Sequence, residues 1–260
     1  MISKDNRPIT DLDDWGLRAG PKSESHWKPG RSAMEAARAW LAAKPPGLPP
    51  EVAVAMASHA DFGPVLEWNG EPEVRLSLDG RPGEPRNTDL LVESRDAFGP
   101  VLIAVEAKAD EPFDRLMADV LSAALESKIK NSDSGALARA QDLAVSLLSA
   151  RAKGQAKVGA LRYQLFTAAV GVLRAAEYRG IERAVLLVHE FITDATTDKE
   201  HASNASDLDD WLLRASSGQF AHLGANTMVG PIVVGPSDLL KGTARLFVAK
   251  AVRNIRTAGR

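Results

Sequence analysis

The chain has 260 residues, carries 32 Lys and Arg against 34 Asp and Glu, and contains no cysteine. Its 45% hydrophobic and 25% charged residues are typical of a globular protein, which excludes disorder as the main state. The missing cysteine excludes disulfide scaffolds, thiolate zinc sites and cysteine nucleophiles, and favours a cytoplasmic location. No apolar run reaches the roughly 18 residues of a membrane span, so we expect no membrane partner.

The first residues of the chain mix charges, Pro and Gly. We interpret 1–31 as an N-terminal surface arm with one helical turn around Leu12 and Trp15. No flexible linker interrupts the rest of the chain. Residues 32–260 are therefore predicted to form a single domain with a C-terminal extension.

Hydrophobic spacing and turn residues predict the elements of this domain in chain order. A capping-box pair, Ser32 and Glu35, begins a first helix that ends before Pro45, and a shorter helix follows over 49–59. The later predicted elements are strands over 65–68, 73–78, 88–93 and 101–106, helices over 114–129, 136–151 and 158–178, a strand over 183–189, a helix over 208–215, a strand over 231–234, and a strand or helix over 245–255. This order predicts an α/β fold with a mixed central β-sheet flanked by α-helices.

Several standard catalytic motifs do not occur in the chain. His189 and Glu190 lack a second histidine at the spacing of a zinc-protease helix, and Leu240 stands where a phosphate loop needs its second glycine. Neither a nucleophile elbow nor a dinucleotide-binding glycine pattern is present. The sequence therefore offers no support for these function classes.

One combination of chemistry-bearing residues lies at the ends of two neighbouring predicted strands. Asp89 stands at the start of one strand, and Glu106 and Lys108 stand at the end of the next. Because side chains alternate along a strand, Glu106 and Lys108 share a face, and the hairpin brings Asp89 beside them. Two carboxylates can hold Mg²⁺, while the ammonium orients or helps to deprotonate a metal-bound water. The pattern predicts phosphodiester hydrolysis.

Two segments, Pro85-Arg86-Asn87-Thr88-Asp89 and Glu106-Ala107-Lys108, resemble the motifs of the PD-(D/E)XK nuclease superfamily. The resemblance extends from about Ser32 to Glu190 and implies a restriction-endonuclease-like core. Residues 26–35 and 105–113 also resemble an uncharacterised bacterial branch of that superfamily.

The resemblance implies roles for four residues. Asp89 and Glu106 would bind one or two divalent ions, Lys108 would position the nucleophilic water, and Glu35 on the first helix would complete the metal site. The implied protein is a nuclease with Mg²⁺ as its cofactor, or Mn²⁺ as the alternative ion.

Basic residues concentrate in the helical part and at the C-terminal end of the chain, whereas acidic residues concentrate in the arm and the strands. Such asymmetry is typical of a phosphate-binding face, and we expect Lys153, Arg245 and Arg253 to contact nucleic acid. DNA or another nucleic acid is the predicted partner, and a homodimer stays open.

Three alternatives stay open from the sequence. Asp89, Glu106 and Lys108 also fit an ion-pair cluster at strand ends. Glu35 also fits a helix-capping residue with no part in the site. The alternative function is a non-catalytic protein on the same fold that binds nucleic acid or a protein.

Overall fold

The computed structural model describes residues 1–21, 23–81 and 86–257, and eight strands and seven α-helices lie in those ranges. The strands are β1 (Ser3–Lys4), β2 (Arg7–Pro8), β3 (Glu67–Leu76), β4 (Arg86–Asp96), β5 (Gly99–Lys108), β6 (Arg183–Ile192), β7 (Thr227–Ile232) and β8 (Arg245–Asn254). The helices are α1 (Leu12–Ala19), α2 (Ser32–Ala42), α3 (Pro50–Ala57), α4 (Met117–Lys130), α5 (Ala136–Leu147), α6 (Tyr163–Arg179) and α7 (Asp198–Ala215).

The central sheet has the strand order β3-β4-β5-β6-β8-β7. Its strands β5, β6 and β8 run parallel, and β3, β4 and β7 are antiparallel to their neighbours. One face packs against α1–α3 and the other against α4–α7. This arrangement confirms the predicted α/β fold with a mixed sheet flanked by helices. In the described ranges, none of the helices is long and apolar enough to cross a membrane.

The middle strands are buried because helices cover both faces of the sheet. The run from Val101 to Lys108 in β5 is buried throughout, and so is the run from Arg183 to Phe191 in β6. Most of these residues are apolar, as expected for strands inside an α/β sheet. Glu106 and Lys108, near the end of β5, are the exceptions in that strand, since they are charged and nevertheless buried.

The predicted helix over 208–215 is the second half of a longer one. Helix α7 begins at Asp198, and Thr197 and Glu200 form a capping box at its start. These two residues satisfy each other's backbone N–H groups. The polar first half of α7 hides its helical period, and the capping box is the signal that marks its true start.

Two predictions about strands change in the structure. The strands predicted over 65–68 and 73–78 form one strand, β3, which contains Glu73 with a positive φ of 50°. The segment predicted over 245–255 as strand or helix is a strand, β8, because it pairs in parallel with β6.

The start of α2 differs from the predicted capping box. Arg31 is the N-cap residue and makes no side-chain cap, and Ser32 is the first helical residue. The Ser32 hydroxyl instead donates to Glu111, while the Glu35 carboxylate accepts the Gly30 N–H over 2.8 Å. Ser32 therefore ties α2 to the turn after β5, and Glu35 holds the turn before α2.

The prediction of a surface arm is wrong for much of residues 1–31. Ile2, Ile9 and Trp15 are buried in the same core as the apolar residues of α2 and α3. The Arg18 guanidinium also donates to backbone carbonyl groups of the β1–β2 hairpin. The N-terminal segment is therefore packed against the domain.

A buried ion pair ties β4 to β6. The Arg183 guanidinium donates to both carboxylate oxygens of Asp96 over 2.6 and 2.8 Å, and both side chains are at least 95% buried. Removal of one partner leaves the other charge buried and unpaired.

We therefore expect Asp96→Asn to lower the free energy of unfolding by about 3 kcal/mol. Glu93→Gln is the matched control, since Glu93 lies on the same strand and pairs with Arg179 at the surface. Its cost should be about 0.5 kcal/mol or less. Urea unfolding measures both values, and equal costs would contradict the assignment.

Candidate active site

The predicted site residues lie at the edge of the sheet where its parallel strands end. Lys108 at the end of β5 is in register with Glu190 of β6, which in turn is in register with Val252 of β8. Ligands of α/β proteins usually bind beyond this carboxyl-terminal edge. The position therefore favours a binding or catalytic role.

A cavity of about 200 Å³ lies at this edge. The strands contribute Asp89 and Lys108 to its wall, and the turn after β5 contributes Asp110 and Glu111. The N-terminal segment contributes Pro21, His26 and Arg31, and the start of α2 contributes Ser32 and Ala33. Arg31 also forms an ion pair with Asp110, which closes the cavity on that side.

Asp89 and Glu106 lie opposite each other on the antiparallel strands β4 and β5. The last register pair of these strands is Leu90 with Val105, and the two acidic residues follow it directly. The Asp89 carboxylate accepts the Ala107 N–H over 2.7 Å. The structure thus brings together the two carboxylates that the sequence analysis singled out.

Alternation along β5 places Glu106 and Lys108 on the same face. Leu102 and Ala104 belong to the core under α4–α7, and the two charged residues continue that face of the strand. The Lys108 ammonium lies 5.2 Å from the centre of the Phe113 ring. Within the described ranges, Lys108 forms no ion pair with a carboxylate, although its charge acts on Asp89.

The environment of Asp89 favours its protonated form. Burial raises the pKa of the Asp89 carboxyl from 3.8 to about 7, and the negative charge of Glu106 adds to this effect. Lys108 and the Ala107 N–H act in the opposite direction and lower the pKa. Asp89 therefore changes its charge near neutral pH.

The Glu106 carboxylate is almost fully buried and contacts three polar side chains. Gln164 Nε2 donates to Oε2 over 2.8 Å, and Thr88 Oγ1 lies 3.3 Å from Oε1. Arg86 forms an ion pair with Oε1. These contacts explain why a carboxylate stays at a position that is only 1% exposed.

Glu35 does not join this group. Its Oε1 accepts hydrogen bonds from the Gly30 N–H and from Arg38 Nη1, the latter over 2.7 Å. Among residues 1–21, 23–81 and 86–257, no three His, Cys, Asp or Glu side chains are arranged to hold a metal ion. The predicted three-carboxylate set of Asp89, Glu106 and Glu35 is therefore not assembled.

Of the three residues predicted to contact nucleic acid, one is paired with an acidic residue and another lies far from the cavity. Arg253 donates to both oxygens of Glu51 over 2.7 and 3.1 Å. Arg245 begins β8 in register with Arg183, at the opposite edge of the sheet. There it lines a larger cavity of about 430 Å³ that contains neither Asp89 nor Lys108.

The third, Lys153, is exposed on the loop after α5. Gln155 of that loop donates to the Leu213 carbonyl near the end of α7. Asn204 of the same helix donates to the Glu111 carbonyl beside the cavity. Leu213 follows Asn204 by nine positions. The two contacts are therefore roughly 14 Å apart along the helix axis. The structure thus brings none of the three basic residues to the cavity.

Sequence reasoning did not identify Arg86 and Gln164 as site residues. Arg86 lies inside the motif segment, three residues before Asp89. A basic residue so close to a predicted carboxylate pair is a sequence signal for a site residue. Gln164 lies 58 residues from Glu106, and no local pattern reports that contact. Pro85, which the motif includes, lies outside the described residues.

The fold and the cavity define an α/β protein with a carboxylate and lysine site at the carboxyl-terminal edge of its parallel strands. Residues 8–236 match a family described as a domain of unknown function, DUF6946, and the chain belongs to that family. No curated protein and no solved structure matches the chain.

The raised pKa of Asp89 predicts a pH-dependent stability. The unfolded chain releases this proton near pH 3.8 and the folded chain keeps it until about pH 7, so folding loses stability as the pH rises between these values. Asp89→Asn keeps an acceptor for the Ala107 N–H and cannot ionise.

We therefore expect Asp89→Asn to raise the free energy of unfolding at pH 8 by about 1 kcal/mol, after allowance for solvent screening at this partly exposed group. At about pH 4 the variant and the wild type should be equally stable. Urea unfolding at both pH values measures the difference. Destabilisation at pH 8 would favour a structural ion pair at Asp89.

Proposed function

We propose that the protein is a divalent-metal-dependent phosphodiester hydrolase that acts on nucleic acid. The observation that supports this most is that Asp89 and Lys108 line one cavity and Glu106 lies opposite Asp89. Phosphodiester hydrolysis needs neutralised phosphoryl oxygens and an activated water, and acidic residues beside a lysine suit both tasks.

Two of the three predicted metal ligands fit a divalent ion. Asp89 and Glu106 would hold it, because their oxygens are hard ligands, and burial together with the charge of Glu106 raises the pKa of Asp89. Within the described chain, Gln164 Oε1 is buried beside them with no hydrogen-bond donor, so an oxygen is left over. A bound Mg²⁺ or Mn²⁺ would lower the pKa of a water and neutralise charge on the phosphoryl group.

Lys108 is suited to position the nucleophilic water and the phosphoryl oxygens. Its stem is buried and its ammonium is held over the Phe113 ring, so few rotamers are available to it. The ammonium also favours the charged form of Asp89. Arg31 also lines the cavity with a 45% exposed side chain, and a substrate phosphate would have to compete with Asp110 for it.

One observation favours the alternative function, a non-catalytic module that binds nucleic acid or a protein. The Glu106 carboxylate is engaged by Arg86 and Gln164, which leaves its oxygens occupied by protein groups. A protein that never releases Glu106 would bind a phosphate at Lys108 without cleaving its ester.

Cleavage tests separate the two functions. The purified protein is incubated with plasmid DNA and with single-stranded DNA and RNA oligonucleotides, in Mg²⁺ or Mn²⁺ and with a chelator. We expect cleavage that requires the ion. We expect Lys108→Met to lower turnover about a hundredfold or more with substrate affinity nearly kept, since it removes a positioned charge and keeps the packing on Phe113.

Arg245→Gln is the matched control, because Arg245 lies at the opposite edge of the sheet. It should change neither turnover nor affinity. Salt-dependent binding without cleavage in either ion, together with an unchanged Lys108→Met variant, would favour the binding module. Absence of both binding and cleavage would contradict the hydrolase and the nucleic-acid-binding module, and would leave only a module that binds a protein.

A further inference from the structure

Arg86, which begins β4, also lies at this site. Its side chain is 90% buried, and its guanidinium forms an ion pair with Oε1 of Glu106. Gln164 holds the other oxygen, Oε2. Both oxygens of Glu106 are therefore in contact with donors of the protein itself.

A positive charge is needed at this position. Glu106 is 1% exposed and lies beside the half-buried Asp89, and two neighbouring carboxylates without a counter-charge repel each other. A buried charge that lacks a partner is costly. Arg86 supplies the charge that neutralises Glu106.

The contact is nevertheless incomplete for the guanidinium. In the part of the chain that the structure describes, Arg86 Nε and Nη2 are buried and make no hydrogen bond of acceptable geometry. The pair at Arg183 and Asp96 is the contrast, because its guanidinium donates to both carboxylate oxygens and to two backbone carbonyls. Arg86 thus neutralises Glu106 through one contact, while its guanidinium has fewer hydrogen bonds than that of Arg183.

We propose that Arg86 is an internal counter-cation of Glu106 that a divalent ion displaces on binding, so that Arg86 sets the affinity of the site for the ion. The proposal rests on the metal-dependent function proposed above. It makes Arg86 a positioning residue that acts through Glu106. It also predicts that the loss of Arg86 strengthens the binding of the ion, whereas the loss of a site residue usually weakens binding.

The test is a Mn²⁺ titration of the metal-free full-length protein at pH 8, above the pKa of about 7 of Asp89, followed by electron paramagnetic resonance of the free ion. We expect Arg86→Gln to lower the Kd for Mn²⁺ at least about tenfold relative to the wild type, since the competing charge is gone. Mn²⁺ should also raise the melting temperature of Arg86→Gln more than that of the wild type.

Two further variants make the result specific. Arg179→Gln removes an arginine that pairs with Glu93 on β4 over 2.7 Å, and it should leave the Kd unchanged. Adding Glu106→Gln to Arg86→Gln should abolish the gain, since the proposal acts through that carboxylate. If Arg86→Gln does not fold by circular dichroism, Arg86→Met keeps the packing of the stem and replaces it in the test.

Each outcome decides the matter. A folded Arg86 variant that binds Mn²⁺ as weakly as the wild type, or more weakly, overturns the role of Arg86 and leaves the metal-dependent function standing. Failure of the wild type and of the Arg86 variants to bind Mn²⁺ overturns both proposals. Tighter binding that persists in the double variant would place the ion away from Glu106 and also overturn the proposal.

Discussion

The arrangement at the start of β4 and the end of β5 depends on the repulsion between a buried carboxylate, Glu106, and a half-buried one, Asp89. Asp89 and Glu106 follow the last paired residues of an antiparallel ladder, inside a sheet whose faces are both covered by helices. Like charges at such a position require protonation, a cation or both. The structure contains both responses, because the pKa of Asp89 is raised to about 7 and Arg86 pairs with Glu106.

Burial on both faces of the sheet explains why this repulsion is strong. Strands β5 and β6 are apolar almost throughout, and their charged residues are near the strand ends and are still buried. Here Glu190 pairs with Lys250, as Glu106 pairs with Arg86. Both of these acidic residues therefore have a basic partner, and Lys108 differs from Arg86 and Lys250 because it lines the cavity.

Local patterns predicted most of the fold, whereas long-range contacts decided its details. Alternation and apolar runs identified the strands that carry Asp89, Glu106 and Lys108. Both signals depend only on which faces of a strand are buried. The start of α7 was missed because its first half is polar. Residues 1–31 have the composition of a surface segment, and a few buried side chains such as Trp15 nevertheless pack them against the domain.

The same distinction applies to the site. Strand alternation is a local property, and it correctly placed Glu106 and Lys108 on one face of β5. The position of the Glu35 carboxylate depends instead on the direction in which the first turn of α2 faces. The Gly30 N–H and Arg38 bind that carboxylate, so it stabilises the helix start instead of facing Asp89. The basic residues that charge counts along the chain singled out do not gather at the cavity, because Arg253 pairs with Glu51 and Arg245 lies at the far edge. The Lys and Arg residues that line this cavity differ in this respect, because Arg31 pairs with Asp110 whereas Lys108 forms no ion pair within the described chain and is held over Phe113.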